Sequence, residues 1–385
     1  MASRGYLIYM QFRGCGTALV TPFHQDGALD EAALRNLVAW QIEAGIDFLV
    51  PCGTTGETPT LTHEEWLRVV DITIEVAAGR VPIVAGATSN NTKDAVAKAQ
   101  ELNSREGVTG ILTASPYYNK PTQEGQYQHF KAIAESVGKP IILYNVPGRT
   151  GANLEASTVA RLAEIPNIVG VKEASGNLTQ VAEICAAVRD DFAVLSGDDA
   201  TVLPVLSLGG VGLISVASNE IPAEMTAIVR AALSNEWDAA RQVFRKYLPL
   251  MQANFIESSP MPVKAVLAMM GRIEEAYRLP MIPVRRDTRS KLQRIAGELG
   301  LIAKAATTTV ANAPAFFVYE NWAAGPHKAV LHRSSCGQCN SGKARPSGHS
   351  ANHARWHGPY ASLAEARQVT QTLPSVLIRS ECKCI

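Results

Sequence analysis

Eight short apolar runs rich in β-branched residues recur along the first 220 positions: Gly16–Phe23, Asp47–Cys52, Pro82–Ala87, Gly110–Ala114, Pro140–Val146, Ile168–Ala174, Phe192–Gly197 and Val211–Ala217. Runs of this length, bounded by Gly, Pro and small polar residues, read as strands of a parallel sheet covered on both faces. Amphipathic stretches of helical length lie between them, among them Asp30–Ala44, Thr62–Ala78, Thr92–Ser104 and Gly125–Val137. Asp30 and Thr92 are predicted N-caps, and Thr62-His-Glu-Glu65 has the form of a capping box. Eight even strand-then-helix units predict an α/β protein with a closed (β/α)8 TIM barrel over residues 12–220. No G-x-G-x-x-G turn follows the first strand, which argues against a doubly wound dinucleotide fold. From residue 221 to 302 the chain is rich in Ala, Leu and Met and reads as helices added to the barrel domain.

The composition then changes. Residues 303–315 are nearly all small and read as a linker to a module over 316–385. Phe316–Glu320 and Lys328–His332 predict a strand pair, Gly358–Arg367 leads into a helix through Leu373, and Ser375–Arg379 predicts a last strand. So small an α+β module has little core and calls for a staple. Cys336, Cys339, Cys382 and Cys384 are candidate zinc ligands for a structural site, with a redox dithiol, a disulfide or plain thiols as the competing readings. The basic, His-rich stretch Lys343–Arg355 reads as a solvated loop. Residues 1–11 read as an N-terminal extension without a cleavage-site pattern, and Met10 is a second candidate start.

Net charge is +1, which gives no electrostatic case for nucleic acid or an anionic membrane. No apolar run reaches the roughly 18 residues of a membrane helix. Cys15, Cys52 and Cys185 are scattered in apolar contexts, as reduced core thiols are, so a cytoplasmic location is expected.

In such a barrel, chemistry belongs to the C-terminal ends of the strands. The sixth ends in Val171-Lys-Glu-Ala174, which puts Lys172 in an apolar wall. Burial penalises the ammonium form and favours a free amine that attacks a ketone to form a Schiff base. Read alone, the run favours a lysine that reaches past the strand end to solvent, and only the rest of the chain turns the reading toward the buried amine. Gly53-Thr-Thr-Gly-Glu57 after the second strand is either an ordinary turn or a carboxylate receptor built from N–H groups and hydroxyls. Tyr144, ending the fifth strand, is a packed tyrosine or a proton relay, and Arg149 beyond it is a surface charge or a carboxylate fork.

Taken together, Gly53-Thr-Thr-Gly-Glu57, Tyr144-Asn-Val-Pro-Gly-Arg-Thr150 and Gly170-Val-Lys-Glu-Ala174 resemble the pyruvate-dependent class I aldolases of the dihydrodipicolinate synthase and N-acetylneuraminate lyase superfamily. Over Phe12 to Leu301 the sequence is most similar to the dihydrodipicolinate synthases, which are lyases of lysine and diaminopimelate biosynthesis. The resemblance implies that Lys172 forms a Schiff base with pyruvate and that Tyr144, Thr54 and Tyr118 relay protons, Tyr118 across a dimer interface. It implies that Thr55 holds the pyruvate carboxylate and Arg149 that of aspartate semialdehyde, while Gly197 and Ile214 line the pocket. No metal or organic cofactor is implied for catalysis, and a homodimer or homotetramer is.

His63, Asn90, Asp94 and Tyr117 match a lysine-binding cleft of feedback-inhibited members. Trp66 stands where sensitive members often carry a polar side chain, so weak or absent lysine inhibition is expected. Two other functions stay open: an aldolase for 2-keto-3-deoxy sugar acids or 4-hydroxy-2-oxoglutarate, disfavoured by Arg149, and a barrel scaffold whose module binds metal or a partner.

Overall fold

The computed structural model describes residues 12–303, 316–321, 328–333, 354–360, 362–373 and 378–382. The chain divides into two compact units, residues 1–304 and 305–385.

In the first unit eight parallel strands form one sheet: β1 (Gly14–Ala18), β2 (Phe48–Val50), β3 (Val84–Gly86), β4 (Gly110–Ala114), β5 (Ile141–Asn145), β6 (Ile168–Glu173), β7 (Ala193–Ser196) and β8 (Gly212–Ser215). The order β2-β1-β8-β7-β6-β5-β4-β3 nearly closes on itself, and a parallel bridge between Leu49 and Ile83 joins the ends into a barrel. Helices α1 (Glu31–Glu43), α2 (His63–Ala77), α3 (Thr92–Ser104), α4 (Gln123–Glu135), α5 (Pro147–Thr150), α6 (Ala156–Ala163), α7 (Leu178–Ala187) and α8 (Val202–Ser207) alternate with the strands. Four more follow: α9 (Pro222–Leu233), α10 (Trp237–Ala253), α11 (Met261–Met269) and α12 (Arg286–Glu298). Among the described residues no helix is long and apolar enough to cross a membrane.

Alternation along the strands separates two cores. Leu112, Ala114, Ile142, Tyr144, Leu195 and Ile214 fill the barrel, while Ile111, Leu143, Val171 and Val194 face the surrounding helices. The centre is crowded enough that glycine is required in places. A Cβ on Gly212 would stand 2.2 Å from the Gly14 carbonyl oxygen, and one on Gly86 2.0 Å from that of Cys52.

Two of the three predicted N-caps are found in place, and the helix expected from Gly125 begins at Gln123 with Thr122 as its cap. Asp30 and Thr62 cap α1 and α2, the latter in a complete capping box with Glu65. The cap of α3 is Asn91 rather than Thr92, because its side chain reaches the Lys93 N–H while Thr92 turns inward to His129. The first strand ends at Ala18 instead of Phe23. Leu19 to Phe23 stay apolar because they cross the barrel rim, where Val20 packs with Val263 and Leu267 of α11.

The second unit has a four-stranded sheet of order β11-β9-β10-β12, from β9 (Phe316–Asn321), β10 (Lys328–Arg333), β11 (Ala354–Tyr360) and β12 (Ile378–Glu381), with helix α13 (Leu363–Thr372). β9 and β10 pair antiparallel, and β12 lies parallel to β10. The expected loop through Arg355 and the helix lead at Gly358 are both corrected here, since Ala354–Tyr360 is a strand. It is an edge strand with a register shift between His357 and Tyr360, the setting in which Gly and Pro are accommodated. Gly358 takes φ +116° there. A buried Glu320 on β9 accepts from His357 Nε2 at 2.6 Å. The N-terminal extension, nearly all of the linker and the residues between 333 and 354 lie outside the described residues.

His129 on α4 gives the barrel a pH dependence. It is buried, Nδ1 pairs with Thr92 Oγ1 at 2.9 Å, and Nε2 has no partner among the described residues. Burial alone lowers its pKa to about 4. Below the ordinary histidine value the unfolded chain takes up a proton that the folded chain refuses. The stability is therefore present above about pH 6.5 and lost as pH falls toward 4, at up to about 1.4 kcal/mol per pH unit. In urea titrations at pH 7 and pH 5 the wild type is expected to lose more stability on acidification than His129→Gln. Equal losses would refute the assignment.

Candidate active site

Lys172 and Tyr144 are register partners on adjacent strands β6 and β5, so both side chains face the same side of the sheet. A register shift at the start of this pairing, between Ile141 and Ile142, leaves Gly170 opposite Ile142 and Lys172 opposite Tyr144. Lys172 Nζ lies 4.3 Å from the centre of the Tyr144 ring, and the two residues are only 5% and 6% exposed. Among the described residues no carboxylate stands within ion-pair distance of Lys172. Gly197, beyond β7, leaves room for the lysine stem, since a Cβ there would lie 3.1 Å from its Cγ and Cε. Ile214 on β8 is fully buried in the barrel interior.

The strand end is braced from behind. Glu173, whose side chain faces the opposite side of β6, accepts from Asn145 Nδ2 at 2.9 Å, Gln180 Nε2 at 3.2 Å and the Ser175 N–H at 2.6 Å. Asn145 in turn accepts from the Leu154 N–H at 2.9 Å. Asp199, beyond β7, accepts from Ser215 Oγ at 2.5 Å and the N–H groups of Val216 and Ala217 at 3.1 and 2.9 Å. Desolvation nevertheless pushes its pKa up to about 6.

The segment after β2 forms a short 3-10 turn over Thr54–Gly56. The Gly56 and Glu57 N–H groups close it on the Gly53 and Thr54 carbonyls at 3.0 and 3.1 Å, so those two donors are already used. Thr54 is exposed and Thr55 buried. Glu57 adopts φ +52° and its carboxylate meets Lys264 Nζ at 2.6 Å, an ion pair with both side chains buried. Removing one partner from such a pair costs on the order of 3–5 kcal/mol, because a charge is left without compensation.

Arg149 lies on α5, exposed, with Nη2 donating to the Ser259 carbonyl at 3.3 Å. A cavity of about 250 Å³ brings Arg149 together with Gly53, Thr54, Tyr117 and Val146, and with Lys98 and Thr88, which the sequence did not single out. Lys172, Tyr144 and Thr55 do not line it. Lys98 carries no motif, and only its place on the inner face of α3 would have suggested it. Tyr118 is 87% exposed at φ +73°, tied by its N–H to the Thr150 carbonyl at 3.2 Å.

Of the lysine-cleft candidates, Asn90 and Tyr117 are joined by a bond from Asn90 Nδ2 to the Tyr117 carbonyl at 3.1 Å. Asp94 is exposed in the first turn of α3, and His63 pairs with Glu101 at 3.2 Å. Trp66 is buried, its indole donating to the Gly86 carbonyl at 3.1 Å. Cys336, Cys339 and Cys384 lie outside the described residues, and Cys382 follows β12 half-buried.

Residues 11–299 match the model of the dihydrodipicolinate synthetase family. A 4-hydroxy-tetrahydrodipicolinate synthase of Koribacter versatilis is 67% identical over 296 residues, 77% of this chain and 99% of the relative. One of Acidobacterium capsulatum is 60% identical over 296 residues, 77% of this chain and 98% of the relative. Among solved structures, the 4-hydroxy-tetrahydrodipicolinate synthase of Methylacidiphilum fumariolicum superposes with a TM-score of 0.73 at 44% identity, covering 75% of this chain and 96% of that one. Dihydrodipicolinate synthase of Thermotoga maritima gives 0.74 at 42% identity, covering 76% of this chain and all of that one. The second unit lies beyond the family match, and the chain belongs through its barrel to the dihydrodipicolinate synthetase family.

Proposed function

We propose that the barrel condenses pyruvate with L-aspartate 4-semialdehyde through a lysine Schiff base, as a 4-hydroxy-tetrahydrodipicolinate synthase. The observation that carries the reading is Lys172, a buried amine at a strand end, set against the Tyr144 ring and without a carboxylate partner among the described residues. An amine so placed attacks the pyruvate ketone, and loss of water gives an iminium. A base removes a proton from the methyl group while the iminium takes up the electron pair, and the resulting enamine adds to the aldehyde, which re-forms the iminium as the aldehyde oxygen is protonated. The second substrate's own amine then attacks the iminium carbon, closing the ring and releasing Lys172. The iminium itself is the electron sink, so the sequence of steps asks for no metal or organic cofactor.

Tyr144, Thr54 and Tyr118 are assigned the proton relay, and Thr55 the pyruvate carboxylate. Gly197 and Ile214 shape the pocket, and Arg149 takes the carboxylate of the semialdehyde. The exposure of Tyr118 supports its working in a neighbouring subunit, hence a homodimer or homotetramer. Buried cysteine thiols at Cys15 and Cys52 suit a cytoplasmic enzyme.

With Lys172→Ala, borohydride in the presence of pyruvate is expected to trap no adduct and turnover to fall to background. An adduct of normal yield on the mutant would remove Lys172 from its role. Arg149→Ala should raise the KM for the semialdehyde roughly 10- to 100-fold, the worth of a charged hydrogen bond, and leave pyruvate trapping intact. An unchanged KM, or an active adduct that accepts only sugar-acid aldehydes, would move the reading to another aldolase of the superfamily. The buried Trp66 offers no polar group to a lysine cleft. Lysine titration should accordingly show no half-inhibition in the sub-millimolar range, and inhibition there would overturn this.

A further inference from the structure

Lys264 on α11 is the second buried lysine of the barrel unit, and no step above uses it. Its Nζ donates to Glu57 Oε1 at 2.6 Å and to the Thr21 carbonyl at 3.1 Å. Thr21 Oγ1 donates to the Gly56 carbonyl at 2.7 Å, which closes a ring of contacts through Lys264, Thr21, Gly56 and Glu57. The rings of Phe23 and Tyr277 flank the ammonium at 4.5 and 5.3 Å. Glu57 Oε2 has no hydrogen-bond partner among the described residues, so Lys264 is the donor that holds the carboxylate, with the Arg278 guanidinium adding a more distant positive charge. Glu57 also sits in the left-handed region at φ +52°, a conformation a glutamate keeps only when its surroundings impose it. That residue ends the turn carrying Thr54 and Thr55.

We propose that Lys264 is a positioning residue for the first substrate: through Glu57 it holds the Thr54–Thr55 turn in the geometry that receives the pyruvate carboxylate. This rests on the assignment of that carboxylate to Thr55. The ring grips the turn at Gly56 and Glu57 and anchors it to the segment after β1. Without the ammonium, the buried Glu57 carboxylate loses the donor that holds it and leaves, carrying the turn with it. The receptor for the second substrate is held differently. Arg149 is exposed and leans on the Ser259 backbone carbonyl, which a substitution at position 264 does not remove. The two substrates should therefore respond unequally.

The test compares wild type with Lys264→Met. Borohydride trapping at graded pyruvate concentrations gives both the number of competent sites and their half-saturation, and steady-state rates give both KM values. Per competent site, pyruvate half-saturation is expected to rise roughly tenfold or more while the semialdehyde KM moves less than about twofold. A lower melting temperature or fewer competent sites with pyruvate half-saturation unchanged would show that Lys264 is structural only, and would overturn the proposal. If Lys264→Met does not fold, the double variant Glu57→Gln with Lys264→Met removes both buried charges. The same rise is expected there, and its absence overturns the proposal equally. A wild type that traps no pyruvate at all refutes the reading of the reaction, and the proposal falls with it. Trapping that is normal in wild type and variant alike refutes the proposal alone.

Discussion

A charge buried in an apolar interior must be compensated, and the two buried lysines of the barrel unit meet that demand differently. Lys264 answers it with a carboxylate at 2.6 Å, a backbone carbonyl and two aromatic rings. Lys172 has the Tyr144 ring and no carboxylate partner among the described residues. The first is held in a ring of contacts with Glu57, Thr21 and Gly56. The second lacks such a ring, and that difference separates the two lysines better than burial does.

Much of the barrel was legible because it depends on local pattern. β-branched runs make strands wherever both faces are covered, and the fourth, Gly110–Ala114, is found with its expected bounds. Errors arose where apolar residues are buried for another reason, as in Leu19–Phe23, which cross the rim under α11 without pairing as a strand. Period alone cannot distinguish the two. The strand at Ala354–Tyr360 was missed for the opposite reason: its Gly-Pro and basic residues are turn signals that an edge strand with a bulge tolerates.

The candidate site divides in the same way. Lys172, Tyr144 and the Gly53–Glu57 turn each sit in a strand-end motif, and the pairing of Tyr144 with Lys172 follows once β5 and β6 are neighbours. The Lys264–Glu57 pair joins residues 207 positions apart, and neither flank carries a signal that they meet. Lys98 enters the cavity from a helix face, with nothing in its neighbours to mark it. Contacts of this kind belong to tertiary packing and become readable only when the helices have docked.

The segment after β8 accordingly bears on the barrel mouth as much as on the core. A barrel is complete at its eighth strand, yet the chain between Ser259 and Arg278 returns to three separate loops of the mouth. Ser259 accepts from Arg149, Lys264 grips Thr21 and Glu57, and Arg278 donates to the Gly27 and Thr60 carbonyls and to Glu65. Of the three, Lys264 stands on α11, Ser259 just before it and Arg278 in the segment between α11 and α12. Loops are the mobile part of such a scaffold, and a site built on them keeps its geometry only when packed neighbours support it. The added segment thus serves as an external brace: the strands fix where Lys172 and Tyr144 stand, and the brace ties down the loops around them.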